Sequence, residues 1–243
     1  MLDLMRRLGF SAIARGYSPP KVMQNLLHWA ALMNLVRRLE INVILDVGAN
    51  RGFFSKHLRL AGYNGLLISF EPVPEDFRRI RALAARDKNW IVCDYALGAK
   101  NEPKTFSVNF CGDQTTLSSF LPLKTPYSPP QQIVVQVRRL DNVLPDLIAS
   151  VASPRIFLKT DTQGYDHHVI AGLGDFLHKV AGLQSEISVL PLYDEVRHYT
   201  ESLSHYEELG FSLIDLFVVD RKADGRAVEY DCIMARTSEL TGA

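Results

Sequence analysis

The stretch Val43-Ile44-Leu45-Asp46-Val47-Gly48-Ala49-Asn50-Arg51-Gly52 constrains the fold more than any other part of the chain. An apolar run that ends in an acid reads as a strand buried on both faces. It passes directly into a loop with two glycines four residues apart, and residues 52–61 then read as a helix. Open α/β sheets bind ligands beyond the carboxyl ends of their strands, so this loop falls at the expected site. Glycine lets the backbone turn tightly and lets a ligand come close. The loop is neither of the two common phosphate cradles. Gly-Ala-Asn-Arg-Gly does not align with G-x-G-x-x-G, and the Gly-Lys-Ser/Thr ending of a P-loop is missing. An acid at the strand end disfavours a pyrophosphate and suits a ligand that is cationic or rich in hydroxyl and amino groups.

From residue 41 onward, strands and helices alternate. Strands are expected at 41–47, 66–70 and 90–93, with helices at 52–61 and 74–86 between them. Residues 98–139 interrupt the alternation with two strands, 104–110 and 133–138, around a polar stretch containing prolines. The alternation then resumes with helix 141–149, strand 155–160, a helix near 167–173, strand 182–189 and helix 195–209. Two strands, 211–219 and 228–235, close the chain around Asp224-Gly225, a hairpin signal. The pattern predicts an α/β, doubly wound and mostly parallel sheet with an antiparallel C-terminal edge. The domain reading is a helical N-terminal extension over 1–40 and a main domain over 41–243, with the insertion at about 98–139. Ser18-Pro19-Pro20 separates two helical segments within the extension.

Charge limits the partners. The 243 residues hold 27 basic and 27 acidic side chains, so there is no electrostatic footprint for a long nucleic acid. The balance is uneven along the chain: residues 1–40 hold six basic groups against Asp3 and Glu40. Three cysteines without a CxxC spacing argue against a disulfide framework or a zinc staple. The first residues read as a poor leader, and no apolar run approaches the length of a membrane helix. The expected location is cytoplasmic, the expected partner is a small molecule, and the oligomeric state stays open.

Two further acids follow Asp46 at strand ends. The second strand ends in Phe70-Glu71-Pro72, nineteen residues after Gly52, where a carboxylate can accept from both hydroxyls of a ribose. The third ends in Cys93-Asp94-Tyr95-Ala96, where an acid can meet an adenine amino group. Three acids at consecutive strand ends suit a positively charged adenosine derivative without phosphates, and S-adenosylmethionine has that chemistry. With these motifs stand Ala96-Leu97-Gly98 and Leu158-Lys159-Thr160-Asp161-Thr162-Gln163-Gly164-Tyr165-Asp166, followed by Val169-Ile170 and Gly172. Together they resemble the FkbM family of S-adenosylmethionine-dependent methyltransferases over roughly residues 40–235. The resemblance implies a class I, Rossmann-like methyltransferase fold with a seven-stranded sheet, usually acting on hydroxyl oxygens of sugars, polyketides or related small molecules. It departs from the family where Gln163 and Asp166 stand in place of the common Glu; Gln163 is unable to act as a base. The residues expected to hold the donor are Asp46, Gly48, Ala49, Asn50, Gly52, Phe53, Ser55, Glu71, Asp94 and Ala96.

The acceptor side is expected around the strand ending in Lys159-Thr160-Asp161. Alternation puts Lys159 and Asp161 on one face, Asp161 as base or substrate-orienting acid and Lys159 as its partner or an acceptor contact. Glu186, at the end of the neighbouring strand, pairs with Lys159 or binds substrate hydroxyls. His167 and His168 open the next helix, where at most one faces the site and a surface or half-buried role is favoured for each. Asp161, Asp166, His168 and Glu186 offer oxygen and nitrogen ligands, but their spacing sets no recognisable metal geometry, so a metal is not favoured. The hydroxyl-rich segment 111–119 reads as a cover for substrate or cofactor, and Tyr193 as a cleft residue. The leading expectation is methylation of a hydroxyl on a sugar, glycan or other natural-product acceptor. A non-catalytic donor-binding scaffold or partner subunit is the alternative, and an oxidoreductase is disfavoured by the missing glycine fingerprint.

Overall fold

The computed structural model of the chain describes residues 21–110, 115–126 and 128–240. The helix expected before Ser18, and Cys111 to Gln114 of the hydroxyl-rich segment, lie outside them. The chain divides into two units after Leu35. Helix α1 covers Lys21–Arg38. Strand β1 (Val43–Val47) follows, buried along its whole length as its unbroken apolar character requires. Helix α2 (Phe53–Leu60), strand β2 (Leu66–Phe70), helix α3 (Pro74–Ala84) and strand β3 (Trp90–Cys93) continue the alternation. Pro74 occupies the first turn of α3, where its missing N–H costs nothing, and Glu75 and Asp76 sit at the positive end of the helix dipole.

The insertion is a second, three-stranded sheet. It contains β4 (Ala96–Leu97), β5 (Glu102–Val108) and β6 (Gln131–Arg138) in the order β4-β6-β5. Strand β5 lies two residues earlier than expected, and β4, only two residues long, carries no periodic signal. Phe106, Val108, Val135 and Val137 form a small core with Val73 and Ala96.

Helix α4 (Leu140–Leu147), strand β7 (Ile156–Thr160), helix α5 (Asp166–Ala171) and strand β8 (Val180–Ser188) lead back through the main sheet. Helix α6 (Tyr199–Glu208) starts four residues later than the sequence suggested. Glu195 has a left-handed backbone, φ 61°, and the helix begins where Glu201 accepts from the His198 backbone N–H. Strands β9 (Phe211–Arg221) and β10 (Ala227–Arg236) end the fold.

The seven strands of the main sheet run β3-β2-β1-β7-β8-β10-β9. Strand β10 is antiparallel to both β8 and β9, while β1, β2, β3, β7 and β8 pair in parallel. The hairpin therefore supplies the expected edge, with the antiparallel strand one place inside it. The order reverses between β1 and β7, and that reversal opens a crevice at the strand ends. Cys93 and Cys232 are buried free thiols.

Candidate active site

The cleft at this reversal is a cavity of about 260 Å³, near the lower end of the size range of small-molecule sites. Three carboxylates line it, Glu71, Asp161 and Glu186, and no lysine or arginine does so among the described residues. Gly48 and Asn50 enter from the loop after β1. Gly48 has φ 75°, and the Asp161 carbonyl oxygen would stand only 2.0 Å from a Cβ there, so no other residue fits between these two loops. Asn50 also takes a left-handed backbone, φ 48°, which asparagine tolerates better than most residues.

Glu71 is buried at the end of β2. Its Oε2 accepts the backbone N–H of Asn50 at 2.7 Å and its Oε1 that of Val73 at 2.8 Å. Burial pushes its carboxyl up to about 8 in spite of those two donors, and the nearby charges of Asp76 and Asp46 act in the same direction.

Asp46 does not face the cavity. It is fully buried, accepts from Ser55 Oγ at 2.9 Å and lies 3.2 Å from Lys159 Nζ. Lys159 is buried too, and its ammonium also stands 3.4 Å from Asp161 Oδ2. Burial opposes its charge, but Asp161 and Asp46 outweigh that and push its pKa up. Lys159 therefore pairs with Asp161, as strand alternation suggested, and also with Asp46, which the sequence had assigned to the donor. Glu186 is engaged elsewhere: Gln163 Nε2 donates to Glu186 Oε2 at 2.7 Å and to Asp161 Oδ1 at 3.0 Å.

Gln163 is thus the bridge between the two acids at this end of the cleft. The Tyr193 hydroxyl lies 2.8 Å from Gln163 Oε1 and 3.0 Å from the Leu117 carbonyl, so Tyr193 supports the bridge and does not itself line the cavity. Glu186 has its pKa raised well above the usual carboxylate range, by burial first and then by the charges of Asp161, Glu229, Asp231 and Asp166. The same crowding, again after burial, brings Glu229 to about 7 and Asp166 to about 6.

Of the residues expected to hold the donor, Gly48, Asn50, Glu71 and Ala96 line the cavity. Ser55 lies beneath it, bonded to Asp46 and Ser69, while Phe53 and Asp94 are exposed. Ala49 and Gly52 shape the loop from behind, the Gly52 N–H donating to the Ala49 carbonyl. His167 and His168 stay outside the lining. His167 lies against Ser202 and Arg197, and burial pushes its pKa down to about 3. His168 stacks on Tyr165. Sequence reasoning missed the aromatic wall of Phe106, Phe120 and Tyr165, whose rings follow one another at 4.9 and 4.6 Å. The alternation of Phe106 with Val108 on β5 was its one available signal. Among the described residues, no group of three or more His, Cys, Asp or Glu side chains is placed to hold a metal ion.

Residues 46–213 match the sequence profile of the methyltransferase FkbM domain. The chain belongs to the FkbM methyltransferase family. FkbM domains are S-adenosylmethionine-dependent methyltransferases, and the cleft of this member fits that donor: a carboxylate at the end of β2, a glycine loop beside it and, among the described residues, no lysine or arginine in the lining to attract a phosphate. No curated protein matches the sequence. Solved structures similar to this FkbM protein include three methyltransferases. Magnesium protoporphyrin IX methyltransferase from Synechocystis PCC 6803, with bound S-adenosylmethionine, is 11% identical at a TM-score of 0.49, over 88% of this chain and 79% of that one. Precorrin-6y C5,15-methyltransferase from Geobacter metallireducens is 12% identical at 0.43, over 84% and 86%. An rRNA methylase from Streptococcus thermophilus is 10% identical at 0.43, over 84% and 94%. No helix among the described residues is long and apolar enough to cross a membrane.

Proposed function

We propose that this FkbM protein methylates a hydroxyl oxygen of a small-molecule or glycan acceptor. The observation that carries the reading is the sharing of one cavity by Glu71 at one end and the Gln163-bridged pair of Asp161 and Glu186 at the other. Glu71 accepts from the ribose hydroxyls of the donor, and the loop from Gly48 to Asn50 holds it from below. S-adenosylmethionine supplies an electrophilic methyl on a sulfonium. Asp161 takes the proton that the acceptor oxygen gives up as its new bond to carbon forms and the carbon–sulfur bond breaks. Lys159 and Gln163 each engage one oxygen of Asp161, so the carboxylate keeps a fixed plane toward the acceptor. Glu186 binds another acceptor hydroxyl. Thr116, Ser118 and Phe120 of the insertion wall this end of the cleft and favour an acceptor with both polar and apolar faces. A zero net charge and a lining without lysine or arginine among the described residues support a small acceptor in preference to a nucleic acid, and a cytoplasmic location agrees with the buried free thiols Cys93 and Cys232. The 41–243 unit acts as the catalytic domain in this reading.

Calorimetry with S-adenosylmethionine and with NAD tests the donor. Transfer of a labelled methyl to a panel of sugars and hydroxylated ring compounds tests the acceptor. Asp161→Asn is expected to bind the donor normally and to lose roughly 10²-fold or more in turnover, the usual share of a general base. Normal turnover by that variant would remove Asp161 from its role. Donor binding with no transfer to any hydroxyl would favour a binding scaffold.

A further inference from the structure

Thr115 of the insertion meets the loop after β1 at the cleft. Thr115 is almost fully buried and lines the cavity, and its hydroxyl donates to Asp76 in the first turn of α3. That fixes the direction of the remaining lone pairs, one of which accepts from Asn50 Nδ2 at 3.0 Å. Asn50 in turn holds Glu71 through its backbone N–H, from the left-handed conformation that asparagine tolerates. Asn50 thus joins two contacts in one residue, its side-chain amide held by Thr115 and its backbone N–H holding Glu71, so Asp76, Thr115, Asn50 and Glu71 are linked in sequence through the position of Asn50. Its members come from a helix, the insertion, the β1 loop and the end of β2. Asp76 also lies 3.8 Å from Arg51 Nε, so a cation beside it shares its charge.

We infer that Thr115 is a positioning residue for the methyl donor: through Asn50 it sets where the Glu71 carboxylate meets the ribose hydroxyls. The inference rests on the assignment of Glu71 to the donor ribose. Thr115 acts at a distance, because its one hydrogen and one lone pair are already committed within the protein. The insertion thereby helps build the donor site as well as the acceptor wall, and loss of a single hydroxyl in it is felt at the ribose.

The test uses Thr115→Val, which keeps the shape and removes the hydroxyl, Thr115→Ser, which keeps the hydroxyl, and Thr115→Ala as a second deletion should valine disturb folding. The probes are S-adenosylhomocysteine and its 2′,3′-dideoxy analogue, measured by calorimetry on the full chain. Thr115→Val and Thr115→Ala are expected to weaken S-adenosylhomocysteine by about fivefold, the worth of one net hydrogen bond. Thr115→Ser is expected to stay close to wild type. The dideoxy analogue, which offers Glu71 no hydroxyls, is expected to bind wild type and Thr115→Val alike. Equal weakening of both probes means a general disturbance and overturns the inference, as does unchanged binding of S-adenosylhomocysteine by Thr115→Val and Thr115→Ala. Failure of the wild type to bind S-adenosylhomocysteine would instead strike the donor assignment itself.

Discussion

Asp46 and Lys159 are direct partners in the pairing of β1 with β7, and their side chains meet 3.2 Å apart beneath the cleft. Asp46 has no exposed surface, and the Lys159 side chain is 8% exposed. Removing one member of a buried pair strands the other's charge in a medium that solvates it poorly. Lys159→Met is therefore expected to lose about 3–5 kcal/mol of folding stability. Asp46→Asn is expected to lose less, because Asp161 remains beside the ammonium. Urea denaturation followed by circular dichroism checks both, and a Lys159→Met protein as stable as wild type would show that the pair is not structural.

Donor binding through Glu71, as proposed, is expected to depend on pH. Its folded pKa, raised by burial to about 8, lies above the ordinary 4.5, so the folded protein holds a proton there that the unfolded chain has released. The stability this contributes is complete below the unfolded value and is lost as pH rises through about 8. A ribose that donates two hydrogen bonds prefers the ionised form, so binding expels the proton. S-adenosylhomocysteine affinity is expected to rise with pH and level off above about 8. Calorimetry in buffers of different ionisation enthalpy reads the proton directly, and Glu71→Gln is expected to abolish its release.

Asp161 and Glu186 are electrically linked through the space that Gln163 bridges. After burial, the charge of Asp161 is the largest influence that raises Glu186. Asp161→Asn is expected to lower the titration midpoint of Glu186, read from its carboxyl carbon in NMR spectra of ¹³C-glutamate-labelled protein. An unmoved midpoint would mean that the two carboxylates do not sense one another, and the shared acceptor site would fail with it.

Gly48 and Gly62 separate conformational from steric demand. Both have positive φ, 75° and 88°, but a Cβ on Gly62 meets nothing within 4 Å. Gly62→Ala is expected to cost about 1–2 kcal/mol, the price of a left-handed alanine. Gly48→Ala is expected to cost clearly more and to weaken donor binding, because the Asp161 carbonyl must move away. Parallel denaturation curves of the two variants settle the comparison.

The alternation of strands and helices, the loop after β1 at the cleft and the strand-end carboxylate Glu71 that lines it were legible because each depends on local pattern. A buried parallel strand needs an unbroken apolar run, and a strand end must be followed by a turn. Motif glycines were legible as letters only. Gly172 owes its identity to the Gly98 carbonyl, 2.3 Å from where a Cβ would stand, a contact between residues 74 positions apart. Asp46 and Asp94 looked equivalent to Glu71 in sequence, each closing its strand, yet one turned inward to a lysine and the other outward to solvent.

The sequence by itself determined the α/β sheet, the family and the place of the cleft, since periodicity and strand-end motifs act over a few residues. Tertiary structure alone decided which distant groups meet. Lys159 met Asp46 on the neighbouring strand and left Glu186 to Gln163, Gln163 joined two acids that stand 25 residues apart, and Thr115 crossed from the insertion to the loop after β1. Those choices depend on distances of a few ångström between groups brought together by strand register and loop closure, and no local pattern encodes them.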